Sequence, residues 1–243
     1  MKTIHRYMTM IHPLTLNSPA PPVVMITVPT GGDIHTDTVK SLLELQNDLL
    51  RKGLRHYFSF SKSSFLPHGR AQVCGASLER GKFQQPFNTK EITHIFMVDS
   101  DIVFTPADFW QLWNHDVPVV AGAYCYSTEA LAGEDDKRIV AGAWDVEYFK
   151  ANYTFPAYTL GQARALAKPL LEVDWLGLGF ALVRTEVFSK IEYPWFNSEL
   201  IVINNLQDTT SEDVGWCRKV SRAGYKILLD PAVKVGHLKN ILI

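Results

Sequence analysis

Three apolar runs in the first half of the chain each end abruptly in a glycine-bearing, polar or acidic turn, and this alternation restricts the fold more than any other feature. VVMITVP, from Val23, ends in Thr30-Gly31-Gly32. It leads into a segment with apolar residues at Val39, Leu42, Leu43, Leu49 and Leu50 that stops at Gly53, the pattern of a strand, a glycine loop and an amphipathic helix. HYFSF, from His56, reads as a second strand, followed by a helix expected over about Arg70 to Lys82. THIFMVDSD, from Thr93, ends in acids, and Thr105-Pro106-Ala107-Asp108 then sets Pro at the first position of another helix. Alternating units of this kind build a parallel sheet flanked by helices.

The second half is richer in strands. VPVVAGAY, from Val117, reads as a buried strand, residues 127–169 as a looser stretch, and LLEVDWLGLGFALVR as strand on both sides of its glycines. A short helix from Thr185, a helix over about Ser211 to Ala223, and two short strands in KILLDPAVKVGH broken at Asp230-Pro231 complete the expectation. The class is α/β, with a mixed, mostly parallel central sheet. At 243 residues one domain is expected over 22–243, and the Pro-rich LNSPAPP marks residues 1–21 as an N-terminal extension.

Charge and cysteine content narrow the function. Lys plus Arg number 24 against 25 Asp plus Glu, a formal net charge of -1, so a protein that coats nucleic acid or an anionic membrane is not expected. Cys74, Cys125 and Cys217 are too few and too scattered for a disulfide framework or a Cys-rich zinc site. Charged residues interrupt the first sixteen positions, and no run approaches the about 20 apolar residues of a membrane span. We therefore expect a cytoplasmic protein.

Several residues can carry chemistry, each with a plainer alternative. Asp99 and Asp101, two apart at a strand end, present carboxylates to one side of the sheet's carboxyl edge, where open α/β sheets take ligands. Two hard oxygen ligands suit Mg²⁺ or Mn²⁺; alternatively they form a solvated turn. Ser211-Glu212-Asp213 opens a helix, where acids cap unpaired N–H groups, or where Asp213 acts as a general base. His237 is an ordinary late histidine or a ligand that shifts preference toward Mn²⁺. Trp175-Leu176-Gly177-Leu178-Gly179 is a strand bend or a place where a ligand nears the backbone. Thr30-Gly31-Gly32 is a common turn or a nucleotide contact. Arg70 is a lone arginine or a phosphate or base contact.

Taken in order, ITVPTGG, HGRAQ, IFMVDSD, VDWLGLGFALVR, SEDVGWCRK and AGYKILLDPAVKVGH resemble a nucleotide-sugar glycosyltransferase of the GT-A (Rossmann-like) fold, over about Val23 to His237. The likeness is greatest to the small GT-A enzymes of large DNA viruses, such as the chlorovirus enzymes that build capsid glycans. The resemblance implies that Pro29, Thr30 and Gly31 meet the nucleoside and that Arg70 lies near base or phosphates. It implies that Asp99, with Ser100 beside it, faces the ribose or metal, and that Asp101 and His237 bind the metal. Trp175 and Gly177 would lie beside donor sugar and acceptor, with Glu212 and Asp213 at the reacting centre. Lys239 would neutralise the departing diphosphate.

The implied reaction is Mn²⁺- or Mg²⁺-dependent transfer of a hexosyl, deoxyhexosyl or pentosyl group from a nucleotide sugar, a UDP-sugar favoured, to a glycan or glycoprotein hydroxyl. Retention and inversion stay open. A viral source would place it in the host cytoplasm. The chain stops at Ile243, so no C-terminal membrane or acceptor-binding module is expected. Residues 127–169 are the expected closing loop. Two rivals remain: a haloacid-dehalogenase-like phosphatase, whose D-x-D-x-V motif Asp99 to Val103 fits though not on a first strand, and a catalytically silent sugar-nucleotide binder.

Overall fold

The computed structural model describes residues 21–126, 132–166 and 168–238. In chain order the strands are β1 (Val23–Thr30), β2 (Arg55–Lys62), β3 (His94–Val98), β4 (Ile102–Val103), β5 (Val119–Ala123), β6 (Arg138–Gly142) and β7 (Ala157–Thr159). They continue as β8 (Leu171–Val173), β9 (Trp175–Leu176), β10 (Phe180–Arg184), β11 (Leu200–Ile203), β12 (Leu206–Thr209), β13 (Ile227–Lys234) and β14 (Gly236–His237). The helices are α1 (Thr36–Arg51), α2 (Leu66–Val73), α3 (Pro106–Asn114), α4 (Val146–Asn152), α5 (Leu160–Ala165), α6 (Thr185–Phe188) and α7 (Glu212–Arg222).

The fold is α/β around a seven-stranded sheet in the order β2-β1-β3-β10-β5-β13-β8. The pairs β1–β2, β1–β3 and β5–β13 are parallel, whereas β10 and β8 run against their neighbours, so the sheet is mixed with most strands pointing one way. Alternate residues serve opposite faces. Val23, Met25, Ile95 and Met97 join α2 and α7 in one core, while Val24, Ile26, Phe96 and Val98 join α1 and α3 in the other. Helices thus cover both faces.

Four local expectations change. In α1 the buried stripe is Thr38, Leu42, Leu45 and Leu49, at helical spacing, and Leu43 and Leu50 face solvent. The second helix spans Leu66–Val73, not Arg70 to Lys82, because the chain turns at Gly75 with φ 66° and a Cβ there would meet Phe87 at 2.5 Å. Asp230-Pro231 does not break the last long strand. Instead β13 runs through it with a register shift, and the buried Asp230 carboxylate takes hydrogen bonds from the Ala232 and Gln111 N–H groups.

The fourth change is in 127–169. Its described residues are organised rather than loose: β6 pairs with β7 and β9, and α4 and α5 pack beside them. Among the described residues no helix is long and apolar enough to cross a membrane.

Candidate active site

Strands β1, β3, β5 and β13 finish at one edge of the sheet, and β10 starts there because it runs antiparallel, with Phe180 opposite Val98. Chain direction therefore gathers Thr30, Asp99, Tyr124, Gly179 and the segment after Lys234 at one place. A short antiparallel pairing of β4 with β14 then sets His237 opposite Ile102. As a result Asp101 Oδ2 lies 3.6 Å from His237 Nε2, and the Leu238 N–H donates to the Asp101 carbonyl at 2.8 Å. His237 Nδ1 is 2.9 Å from the Cys125 carbonyl oxygen. A carbonyl only accepts, so Nδ1 carries a hydrogen, and Nε2 is the ring nitrogen turned toward Asp101. The Tyr124 ring stands edge-on to this imidazole, with centroids 5.2 Å apart.

Arg70 forms the second half of the site. Its side chain is only 2% exposed on α2, with Nη1 at 2.9 Å and Nη2 at 3.1 Å from the Asp99 carboxylate. Nε lies 3.4 Å from Asp213 Oδ1 and 3.6 Å from Glu212 Oε1. One guanidinium therefore answers three carboxylates. Burial opposes its charge, but Asp213, Asp99 and Glu212 outweigh that and raise its pKa. Asp213 is pushed up to about 7: burial raises it, Arg70 pulls it down, and Glu212 and Asp99 raise it further. Arg70 Nε and Asp213 Oδ1 have no hydrogen-bond partner of good geometry.

Tyr124 ties the two halves together. Its hydroxyl accepts from the Gly179 N–H at 3.1 Å, and burial, with Asp213 and Asp99 nearby, raises its pKa well above the usual phenol range. A Cβ on Gly177 would lie 2.0 Å from that hydroxyl, and one on Gly179 would lie 3.0 Å from it and 2.8 Å from Asp99 Oδ2. The W-L-G-L-G glycines thus make room for Tyr124 and Asp99.

The first-strand loop sits beside this cluster. Thr30 Oγ1 donates to the Asp33 carbonyl at 2.6 Å and accepts from the Gly32 N–H at 3.0 Å, while the His35 N–H donates to the Ser100 carbonyl at 2.9 Å. Pro29 backs onto α2, where a Cβ on Gly69 would be 3.7 Å from it; a Cβ on Gly31 would meet open space. Lys239 lies outside the described residues, as do residues 1–20 of the N-terminal extension.

A cleft of about 420 Å³ opens from Glu212 and Asp213. Trp175 and Gly177 line it, so the strand-bend motif and the acidic pair share one cavity, and the Trp175 indole N–H donates to the Ala143 carbonyl at 3.2 Å. Its other lining residues were not legible in the sequence: Tyr126, Tyr153 and Phe155, with Asp208 and Thr209 from the β11–β12 hairpin. Tyr124 closes an apolar strand at the sheet's carboxyl edge, a position that does mark it; the hairpin and Tyr153 lie in segments without periodicity. Ser211 caps α7 by accepting from the Val214 N–H at 3.3 Å, which aims the acids on the helix's first turn at Arg70.

Among the described residues, no group of three or more His, Cys, Asp or Glu side chains is arranged to hold a metal ion. Both Asp99 oxygens face Arg70, whereas Asp101 Oδ2 faces His237 Nε2.

No family model matches the chain, and no curated protein matches it. Among solved structures it is similar to A197 from STIV, with 17% identity over 91% of this chain and 96% of that one, at a TM-score of 0.47. It is also similar to GalNAc-T7, solved with UDP, GalNAc and Mn²⁺, with 12% identity over 90% of this chain, at a TM-score of 0.49. The chain spans 44% of that second protein's length. Both are similarities of chain path, and neither speaks to what this chain does.

Proposed function

We propose that the chain is a divalent-metal-dependent glycosyltransferase that moves a sugar from a nucleotide-sugar donor, a UDP-sugar by preference, to a hydroxyl of a glycan. The observation that carries this reading is the 3.6 Å approach of Asp101 to His237, beside the acids gathered on Arg70. Mn²⁺ or Mg²⁺, held by Asp101 and His237, would supply positive charge to a departing diphosphate. Two protein ligands suffice when donor phosphates complete the coordination. An imidazole in the set favours Mn²⁺, and the backbone partner on His237 Nδ1 is the outer contact that ligating histidines keep.

Within this reading Asp213, 18% exposed at the cleft, takes the proton of the acceptor hydroxyl, and Glu212 orients that hydroxyl. Arg70 is too deeply buried to reach a phosphate at the open edge and acts as a positioning residue for Asp99 and Asp213. The loop of Pro29, Thr30 and Gly31, next to Ser100, flanks the nucleoside, and Trp175 and Gly177 lie beside donor sugar and acceptor. Lys239 would neutralise the departing diphosphate, a role that the resemblance alone implies. The phosphatase alternative needs Asp99 as a free nucleophile, and the two contacts from Arg70 weigh against it.

A panel of nucleotide sugars assayed for thermal stabilisation and hydrolysis with and without Mn²⁺ tests the proposal. At least one UDP-sugar is expected to act only with Mn²⁺, and Asp101→Ala is expected to abolish the effect. Binding indifferent to Mn²⁺ and to that substitution, or no response to any nucleotide sugar, defeats it. Binding without turnover in wild type would leave the silent binder in its place.

A further inference from the structure

The cleft beside Asp213 differs in chemistry from the edge where Asp101 and His237 meet. Among the described residues, three carboxylates line it, those of Asp208, Glu212 and Asp213, and no Lys or Arg does. A phosphate, a uronate or any other anion is therefore repelled there. It also has an aromatic, stiff wall. Phe155 is sandwiched between Trp144, with centroids 3.9 Å apart at 21°, and Phe149, with centroids 4.7 Å apart at 28°. Arg218 covers Trp144 at 3.8 Å and is itself held by Glu199 at 2.8 Å.

Tyr153 stands at the mouth of this wall. It caps α4 in the left-handed region, φ 56° and ψ 25°, a backbone state that costs a bulky residue energy and that Gly or Asn would adopt more cheaply. Its side chain is 68% exposed, so packing gives no return for that cost. A strained and exposed aromatic lining a cleft is explained by what it meets there.

We infer that this cleft is a subsite for a neutral pyranose ring of the acceptor, whose apolar C–H face lies on Tyr153 and whose hydroxyls donate to Asp208 and Glu212. The inference rests on the transferase reading and adds to it the acceptor's chemical class: an uncharged sugar, not an acidic sugar and not a peptide. An exposed flat ring and hydrogen-bond acceptors lining one cleft match a ring with apolar faces and hydroxyl donors on its rim. One hydroxyl then meets the Asp213 carboxylate, which lines the same cleft.

The test uses the full chain with Mn²⁺ and the nucleotide sugar that wild type hydrolyses, since hydrolysis without acceptor reports the donor reading on its own. Methyl glycosides of neutral hexoses, the matching uronides and Ser/Thr peptides are then added in turn. A neutral glycoside is expected to accelerate nucleotide release saturably. Tyr153→Ala should raise its KM about tenfold, the loss of one stacked ring, and Tyr153→Phe should restore it. Acceleration only by uronides or peptides, by nothing although donor hydrolysis is robust, or with a KM unmoved in Tyr153→Ala overturns the subsite and spares the donor reading. Absence of donor hydrolysis overturns both.

Discussion

Arg70 and Asp99 meet at 2.9 Å and 3.1 Å beneath the site, and the same guanidinium reaches Asp213 at 3.4 Å on its Nε side. A helix from the second unit, the end of the third strand and the start of α7 are thereby fixed to one another through a single buried cation. The geometry of the acids at the site depends on that residue more than on any of the acids themselves.

Replacing Arg70 with Met keeps much of the volume and removes the charge. The carboxylates of Asp99, Glu212 and Asp213 then face one another uncompensated, and a loss of about 3–5 kcal/mol is expected in urea unfolding at pH 8. The deficit should shrink at pH 5. Asp213 titrates near 7 even with Arg70 present, so it is neutral there and the repulsion is relieved. An undiminished or absent deficit would show that the acids do not depend on Arg70.

Asp213 must be ionised to accept a proton. With its pKa held at about 7 by burial and by Glu212 and Asp99, turnover should rise through pH 7 and fall about tenfold per unit below it. Asp213→Asn should lower turnover at least ~10²-fold and abolish that limb of the profile, with donor affinity retained in calorimetry. Because the folded pKa is raised, ionising Asp213 costs stability as pH climbs through 7. The Asn variant, free of that cost, should gain on wild type in melting temperature from about pH 4 to about pH 7 and level off above it.

Gly177 is required sterically by Tyr124. Gly177→Ala would put a Cβ 2.0 Å from the Tyr124 hydroxyl and 2.8 Å from Val140 Cγ1, and overpacking of this kind costs about 1–3 kcal/mol. Tyr124→Phe removes the clashing oxygen while depriving the Gly179 N–H of its acceptor. The double variant should be less destabilised than the sum of the singles in thermal unfolding. Strict additivity would place the Gly177 requirement elsewhere.

His237→Ala should reduce UDP affinity in the presence of Mn²⁺ to the metal-free level while leaving metal-free binding unchanged. Calorimetry with and without EDTA distinguishes this from a general loss of fold. Equal affinities in all four conditions would remove His237 from the metal.

The parts of this molecule that the sequence makes legible are those set by local physics. Apolar runs with period two, the Thr105-Pro106 helix start and the Ser211 cap depend on neighbours a few residues away, so the strand–helix alternation and the acids at Asp99, Asp101 and Asp213 can be read from the chain itself. Where local signals competed, reading failed. Leu43 and Leu50 are as apolar as Leu42 and Leu49, and only packing decides which pair is buried. Gly75 ends α2 in the left-handed region, and the Phe87 side chain that crowds it is a contact no local rule reveals.

Sequence alone determined that carboxylates would stand at the carboxyl edge of an α/β sheet, because strand direction and residue spacing dictate it. Tertiary structure alone decided what they face. Long-range pairing of β4 with β14 brought His237 to Asp101, burial turned Arg70 inward onto three acids, and packing of α4 against the β11–β12 hairpin built an aromatic cleft beside Asp213. Such contacts join segments far apart in the chain, and their energies exist only once the core has closed around them.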